Sequence, residues 1–243
     1  MSNISELLFK NNHYSKVLNT TLEVGEELKI PVYLVGGAVR DLLLGYKDGK
    51  DIDLMVEKDS SKFTKLLAKK LNVNTIISYE KFHTYKIPYS DIEIEVAAAR
   101  KETYAADSRK PNKVILTTIK EDLSRRDFTV NAIAASIMKK NLGEIYDPLN
   151  GIKDLNKGIL RTPKDPDTTF SDDPLRMLRA IRFSASLNFD IKANIKKSIA
   201  NKAERIVTFL AILELIRLKH ITSVQSGHFT EIYLQKRNTD TNS

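Results

Sequence analysis

The tightest constraint on this chain is a glycine pair between two apolar stretches. Val32 to Val35 is a short apolar run, Gly36 and Gly37 follow, and Val39 to Leu44 has helical spacing closed by Gly45. This order predicts a strand, a tight turn and a helix. Glycine in such a turn admits positive φ and lets backbone N–H groups approach a ligand without a Cβ in the way. A helix N-terminus next to it favours anions. Arg40, about one turn into the helix, adds a charge-assisted donor for phosphate. A glycine pair alone is more often only a turn, so its neighbours decide the reading.

The neighbours are acidic. From Asp51 to Val56 the residues alternate, with Ile52, Leu54 and Val56 on one face and Asp51 and Asp53 on the other. A second run repeats the pattern: Ile92, Ile94 and Val96 alternate with Glu93 and Glu95. Acids held on one face repel each other unless a cation compensates. Oxygen ligands suit Mg²⁺, which keeps several waters and takes its other ligands from substrate phosphates. Asp51 and Asp53 are the expected metal ligands. Glu95 is the expected third carboxylate of a clamp for two Mg²⁺ ions, with Glu93 the spare. An isolated Asp-x-Asp more often forms the wet face of a sheet. Preceded by a Gly-Gly turn, it describes a triphosphate held beside metal ions.

The remaining pattern sets the frame. Leu18, Leu22, Gly25 and Leu28 predict a helix before Pro31, and Ser60 to Leu71 predicts another. Strands are expected near Thr75 to Ser78, Thr84 to Ile87 and Ile92 to Ala97. Arg100 to Asn112 reads as a mobile loop, Phe128 to Met138 as a buried helix, Asp147 to Gly151 as a turn and Arg161 to Pro166 as a linker. Asp172 to Ser186 reads as a helix. The layout is α/β to about residue 140 and helical after it.

Thirty-nine Lys and Arg against 31 Asp and Glu leave a net charge of +8. That surplus attracts polyanions through counterion release, or merely solvates a basic surface. Without cysteine, disulfides and thiolate metal sites are excluded, which fits a cytoplasmic chain. The first twenty residues include Glu6 and lack an apolar run, so no signal peptide is expected. No apolar run approaches the ~18 residues of a membrane span.

Several further fragments share a pattern. Val35 to Asp41, Gly45 and Asp51-Ile52-Asp53 are followed by Glu95-Val96-Ala97 to Arg100 and by Ser108-Arg109-Lys110-Pro111. Arg125-Arg126-Asp127-Phe128-Thr129-Val130-Asn131-Ala132 comes next, then Asp172-Asp173-Pro174-Leu175-Arg176 through Arg179 and Arg182-Phe183. In this order they resemble the class II tRNA nucleotidyltransferases (CCA-adding enzymes) and the related bacterial poly(A) polymerases, of the DNA polymerase beta nucleotidyltransferase superfamily. The resemblance runs from about Pro31 to Arg205.

It implies an α+β fold: a polymerase-beta-like head, a small mixed sheet with helices, followed by an all-helical neck. The head is expected over 1–148, the neck over 149–206 and a divergent segment over 207–243. The implied reaction adds CMP and AMP from CTP and ATP to the 3′ end of tRNA and releases pyrophosphate. Asp51, Asp53 and Glu95 are the implied catalytic residues. Gly36, Gly37, Arg40, Arg125 and Arg126 bind triphosphate, Asp127 with Asn131 reads the ribose, and Asp173 with Arg176 selects the base. Arg179 and Arg182 support that helix or contact phosphate. Ser108 to Pro111 resembles the flexible loop used in nucleotide switching.

The head motifs barely separate CCA addition from poly(A) synthesis or from addition of CC or A alone. A rival of another class is a catalytically inactive RNA-binding remnant. After Ile206 the pattern stops, so the expectation is a head and neck from a truncated, frame-shifted or naturally short copy. The apolar residues 208–218 are expected to pack on the neck or on another subunit of a homo-oligomer. The tail from Gln235 to Ser243 is expected to be disordered.

Overall fold

A computed structural model describes residues 3–9, 12–46, 51–103, 113–201, 221–225 and 232–236. Two compact units divide at Lys192 and Ala193. The first runs α1 (Ser5–Leu8), α2 (Asn12–Leu28), β1 (Val32–Val35), α3 (Gly37–Leu43), β2 (Asp51–Val56), α4 (Ser60–Lys70), β3 (Ile77–Tyr79), β4 (Thr84–Tyr89) and β5 (Ile92–Ala98). It continues with β6 (Arg100–Thr103), β7 (Lys113–Leu116), α5 (Ile119–Ser124), β8 (Ala134–Ser136), β9 (Ile145–Tyr146), α6 (Gly151–Asn156), β10 (Ile159–Leu160), α7 (Pro166–Asp172), α8 (Leu175–Leu187) and β11 (Asp190–Ile191). In the second unit residues 193–201 are helical, and β12 (Ile221–Gln225) pairs with β13 (Ile232–Lys236).

The α+β expectation holds, although the segment expected to be an all-helical neck also carries the short parallel pair of β10 and β11. A mixed sheet has strand order β3-β4-β5-β2-β1-β8-β9. Only β2 and β5 run parallel; the other neighbours in the sheet are antiparallel. Strand alternation sorts the side chains. Ile52, Leu54, Val56, Ile92, Ile94 and Val96 join Val17, Leu18 and Val24 of α2 and Phe63 and Leu67 of α4 in the main core. The opposite face carries a smaller cluster, in which Tyr33, Val35 and Met55 pack with Ile119 and Leu123 of α5. The apolar halves of β2 and β5 thereby hold the acidic halves on that second face. β1 is buried along its whole length, since both faces are covered.

The structure corrects four local expectations. Phe128 to Met138 is a 3-10 turn over Thr129–Asn131 followed by β8, which pairs with β1. A run buried on all sides carries no periodicity to separate helix from strand, and here the ladder satisfies its backbone. The start of the supposed loop at Arg100 is β6, paired with β7. The supposed helix from Asp172 breaks at Asp173, which has φ −151° and ψ 103°. Pro174 causes the break, because a residue before proline is driven out of the α region. Finally, Gln235 and Lys236 belong to β13 instead of a disordered tail.

Arg161, where the linker was expected, accepts from Thr129 N–H through its carbonyl (2.8 Å), and Asp165 caps α7 by accepting from Asp167 and Thr168 N–H. Ser108 to Pro111, Lys202 to Ile206, 208–218 and 237–243 lie outside the described residues. No described helix is long and apolar enough to cross a membrane.

Candidate active site

The site is built where the C-terminal end of β1 meets α3. Gly36 has φ +70°, and a Cβ there would stand 3.0 Å from Arg126 Nη1 and 3.5 Å from Asp53 Oδ2. Glycine is therefore required twice, for the backbone conformation and for the space. Beside it the parallel pairing of β2 and β5 sets Asp53 opposite Glu95 and Asp51 opposite Glu93. Burial pushes the Asp53 carboxyl up to about 6; Glu95 and Asp51 add to the rise, and Arg126 and Lys86 oppose it. Lys86 of β4 lies directly opposite Glu95 of β5. Its ammonium donates to Glu93 and stands 3.6 Å from Glu95.

Among the described residues no group of three or more His, Cys, Asp or Glu closes into a ready-made metal cage. The donor set still fits Mg²⁺. That ion uses one or two carboxylates and fills its shell with water and phosphate oxygens, and Asp51, Asp53 and Glu95 line one cavity.

Opposite the acids stands a wall of arginines, each held by a partner. Asp122 of α5, 1% exposed, accepts from Arg125 (2.7 Å) and Arg126 (3.3 Å). Burial by itself would raise Asp122, but the two guanidiniums and the Arg100 N–H hold it below the usual carboxylate range. Arg40 donates to Asn131 Oδ1 at 2.7 Å and to Asp41 at 2.8 Å. Asp127 Oδ1 accepts from Phe128 N–H (2.8 Å) and Asn131 Nδ2 (3.1 Å), while its Oδ2 accepts from Arg179 Nε (2.7 Å). Asp127 thus ties the 3-10 turn to α8.

Asp173 accepts from Leu175 N–H at 3.0 Å, just before α8 instead of within it. Arg176 Nη2 donates to the Arg125 carbonyl at 3.1 Å. The Phe183 ring gathers Arg40, Arg179 and Arg182, whose guanidinium carbons lie 5.1, 5.2 and 4.9 Å from its centroid.

Gly36, Gly37, Arg40, Asp51, Asp53, Glu95, Arg125, Arg126, Asp127, Asn131, Asp173, Arg176, Arg179 and Arg182 all line one cavity of about 960 Å³. These expected residues are therefore brought together, whereas the spare Glu93 is not among those lining the cavity and Ser108 to Pro111 lie outside the described residues. The arrangement can bind a polyphosphate between arginines and a cation-seeking acid cluster, with an aromatic-backed recess next to it. Sequence reasoning missed Asp122 and Lys86, and it quoted Asp41 and Phe183 within motifs without giving either a role. Asp122 had a signal, since it stands three and four residues before Arg125 and Arg126, the spacing of facing helical side chains. Lys86 and Phe183 depend on cross-strand register and on the packing of α8, which no local spacing encodes.

Residues 32–161, a little over half of the chain, match the poly A polymerase head domain. An A-adding tRNA nucleotidyltransferase of Aquifex aeolicus is 39% identical over 165 residues, 68% of this chain and 19% of that protein. The CCA-adding enzyme of Leuconostoc mesenteroides is 36% identical over 179 residues, 73% of this chain and 42% of that one. Among solved structures, an apo form of a CCA-adding enzyme aligns with a TM-score of 0.72 at 35% identity, over 84% of this chain and 47% of the other. A Thermotoga maritima CCA-adding enzyme complexed with tRNA aligns at 0.67 with 31% identity, over 82% and 45%. The chain spans less than half the length of each of these relatives.

Proposed function

The chain belongs to the poly A polymerase head-domain family, and from that membership we propose that it is a template-independent nucleotidyltransferase adding CMP and AMP to the 3′ end of tRNA. The observation that carries the reading is the convergence of Asp53, Glu95, Arg126, Asp127 and Arg176 on one cavity from separate stretches of chain. In this reading Asp51, Asp53 and Glu95 would hold two Mg²⁺ ions, which when bound would supply positive charge for an attacking 3′-OH and for the departing pyrophosphate. Gly36, Gly37, Arg125 and Arg126 bind the triphosphate, with Arg40 behind them. Asp127 and Asn131 fix the ribose wall, and Asp173 and Arg176 choose the base through amino-group acceptance and ring-nitrogen donation. The head comprises 1–148 and the base-selecting neck 149–206.

A second reading, addition of AMP alone, is favoured by the 39% identity to an A-adding relative. The test uses Mg²⁺, radiolabelled CTP or ATP, and tRNAs ending before the first C, after CC, or after CCA. CMP added twice and AMP once supports CCA addition, and AMP on the CC-ended tRNA alone supports the second reading. A long ladder of A points to poly(A) synthesis. No incorporation on any RNA overturns the proposal.

A further inference from the structure

The arginines of the cavity are adjacent cations, and one buried group outside the expected site holds two of them. Asp122 Oδ1 accepts from Arg125 Nε (3.0 Å), Arg125 Nη2 (2.7 Å) and the Arg100 N–H (3.2 Å). Its Oδ2 accepts from Arg126 Nε (3.4 Å) and Nη2 (3.3 Å). With both oxygens engaged and the residue 1% exposed, this carboxylate does not reach a substrate. What it controls lies one step away. Arg126, clamped through Nε and Nη2, has Nη1 facing the space above Gly36, which Asp53 Oδ2 also borders. Arg125, clamped in the same way, offers its carbonyl to Arg176 Nη2 at 3.1 Å. One buried anion therefore stands behind both the phosphate grip and the donor that faces the base.

We propose that Asp122 is a positioning residue that holds the phosphate-binding arginines in register with the base-reading Arg176. Neighbouring guanidiniums repel, and without a shared anion they adopt separate rotamers, so the triphosphate and the base are no longer located by one rigid frame. The inference rests on the nucleotidyl-transfer reading. It predicts a double signature: weaker nucleotide binding and poorer choice among nucleotides.

A merely structural carboxylate would give neither effect, and the molecule supplies a matched control. Asp154 is also buried, at 7%, and accepts from Thr129 Oγ1 (2.6 Å) and Arg161 Nε (2.8 Å), but neither of these partners lines the cavity, whereas Arg125 and Arg126 do. Asp122→Asn and Asp154→Asn are compared in the full chain for melting temperature, KM and kcat with ATP, and the fraction of UTP or GTP misincorporated. Both variants are expected to melt earlier. Asp122→Asn alone is expected to raise KM by about tenfold or more, the loss of one charge-assisted contact, with a higher misincorporated fraction. Asp154→Asn is expected to stay within about twofold of the parent in both.

Equal kinetic behaviour of the two variants overturns the proposal while the functional reading stands. Should Asp122→Asn not fold, Asp122→Glu, which keeps the charge but moves it by one methylene, takes its place; parental KM and fidelity there overturn the proposal equally. If the parent incorporates nothing, the functional reading has failed, and the inference is judged on equilibrium binding of ATP. Weakening by Asp122→Asn or Asp122→Glu but not by Asp154→Asn then supports it, and no difference overturns it.

Discussion

Two carboxylate environments, one lining the cavity and one behind its arginines, behave oppositely. On β2, Asp53 faces Glu95 and Asp51, and its carboxyl is pushed up to about 6 by burial and by those neighbours. On α5, Asp122 is more deeply buried, yet two guanidiniums hold it below its ordinary range. Burial penalises both anions; partners decide the outcome. The α5 region is complete as folded. The β2–β5 region is short of positive charge even with Arg126 and Lys86 nearby, the condition expected of a place that takes up cations with its substrate.

The strongest way to break this comparison is Asp53→Asn. Incorporation is expected to fall by about 10³-fold, on the order of 4 kcal/mol of transition-state stabilisation, while the metal-free protein becomes more stable. The sign follows from the raised pKa. Stability from the protonated form is fully present below the unfolded value of 3.8 and is lost as pH rises through about 6. At pH 7 the substitution is expected to recover about 1–2 kcal/mol of a linkage ceiling near ~3, read as a higher melting temperature in EDTA. Divalent cation should raise the melting temperature of the parent and not of the variant. An unchanged reaction rate would sink the assignment.

Gly36→Ala comes next. The residue has φ +70°, and the new methyl would stand 3.0 Å from Arg126 Nη1. A loss of about 1–2 kcal/mol of stability is expected, with roughly a tenfold or greater rise in KM for ATP, checked by thermal melts and initial rates. A pH series on the metal-free parent sharpens the contrast further. Asp53 lowers stability between about pH 4 and 6 as pH rises, whereas the depressed Asp122 contributes stability that is lost only as pH falls below its unfolded value of 3.8. Metal-free melts of Asp53→Asn should lack the first slope and keep the second. The smallest effect belongs to Lys86→Met. Removing the ammonium 3.6 Å from Glu95 is expected to lower the Mg²⁺ concentration for half-maximal rate by a few-fold, roughly 1 kcal/mol. A rise in that concentration would contradict a competing-cation role.

Much of the acid region was legible because strands repeat every two residues. Asp51 and Asp53, Glu93 and Glu95, and the apolar residues between them announce their faces in β2 and β5 without help from the rest of the chain. The arginine region was legible only as a list. Arg125, Arg126, Asp127 and Arg176 were named, yet the segment after Phe128 was read as a helix although it forms a 3-10 turn and β8. Asp173 was placed inside a helix that Pro174 interrupts. Proline chemistry offered that second correction in advance, whereas the first had no local cue in a uniformly buried stretch.

Alternation, the glycine turn and the order of the motifs were properties of the chain alone, since each follows from the geometry of a few consecutive residues. Tertiary structure decided which groups meet: Asp53 with Glu95 through the parallel register, Lys86 of β4 with both glutamates of β5, Arg179 with Asp127, and Arg176 with the Arg125 carbonyl. Those contacts join positions far apart along the backbone, and their strength depends on desolvation and on the charges that packing brings near, which are quantities that exist only once the core has closed.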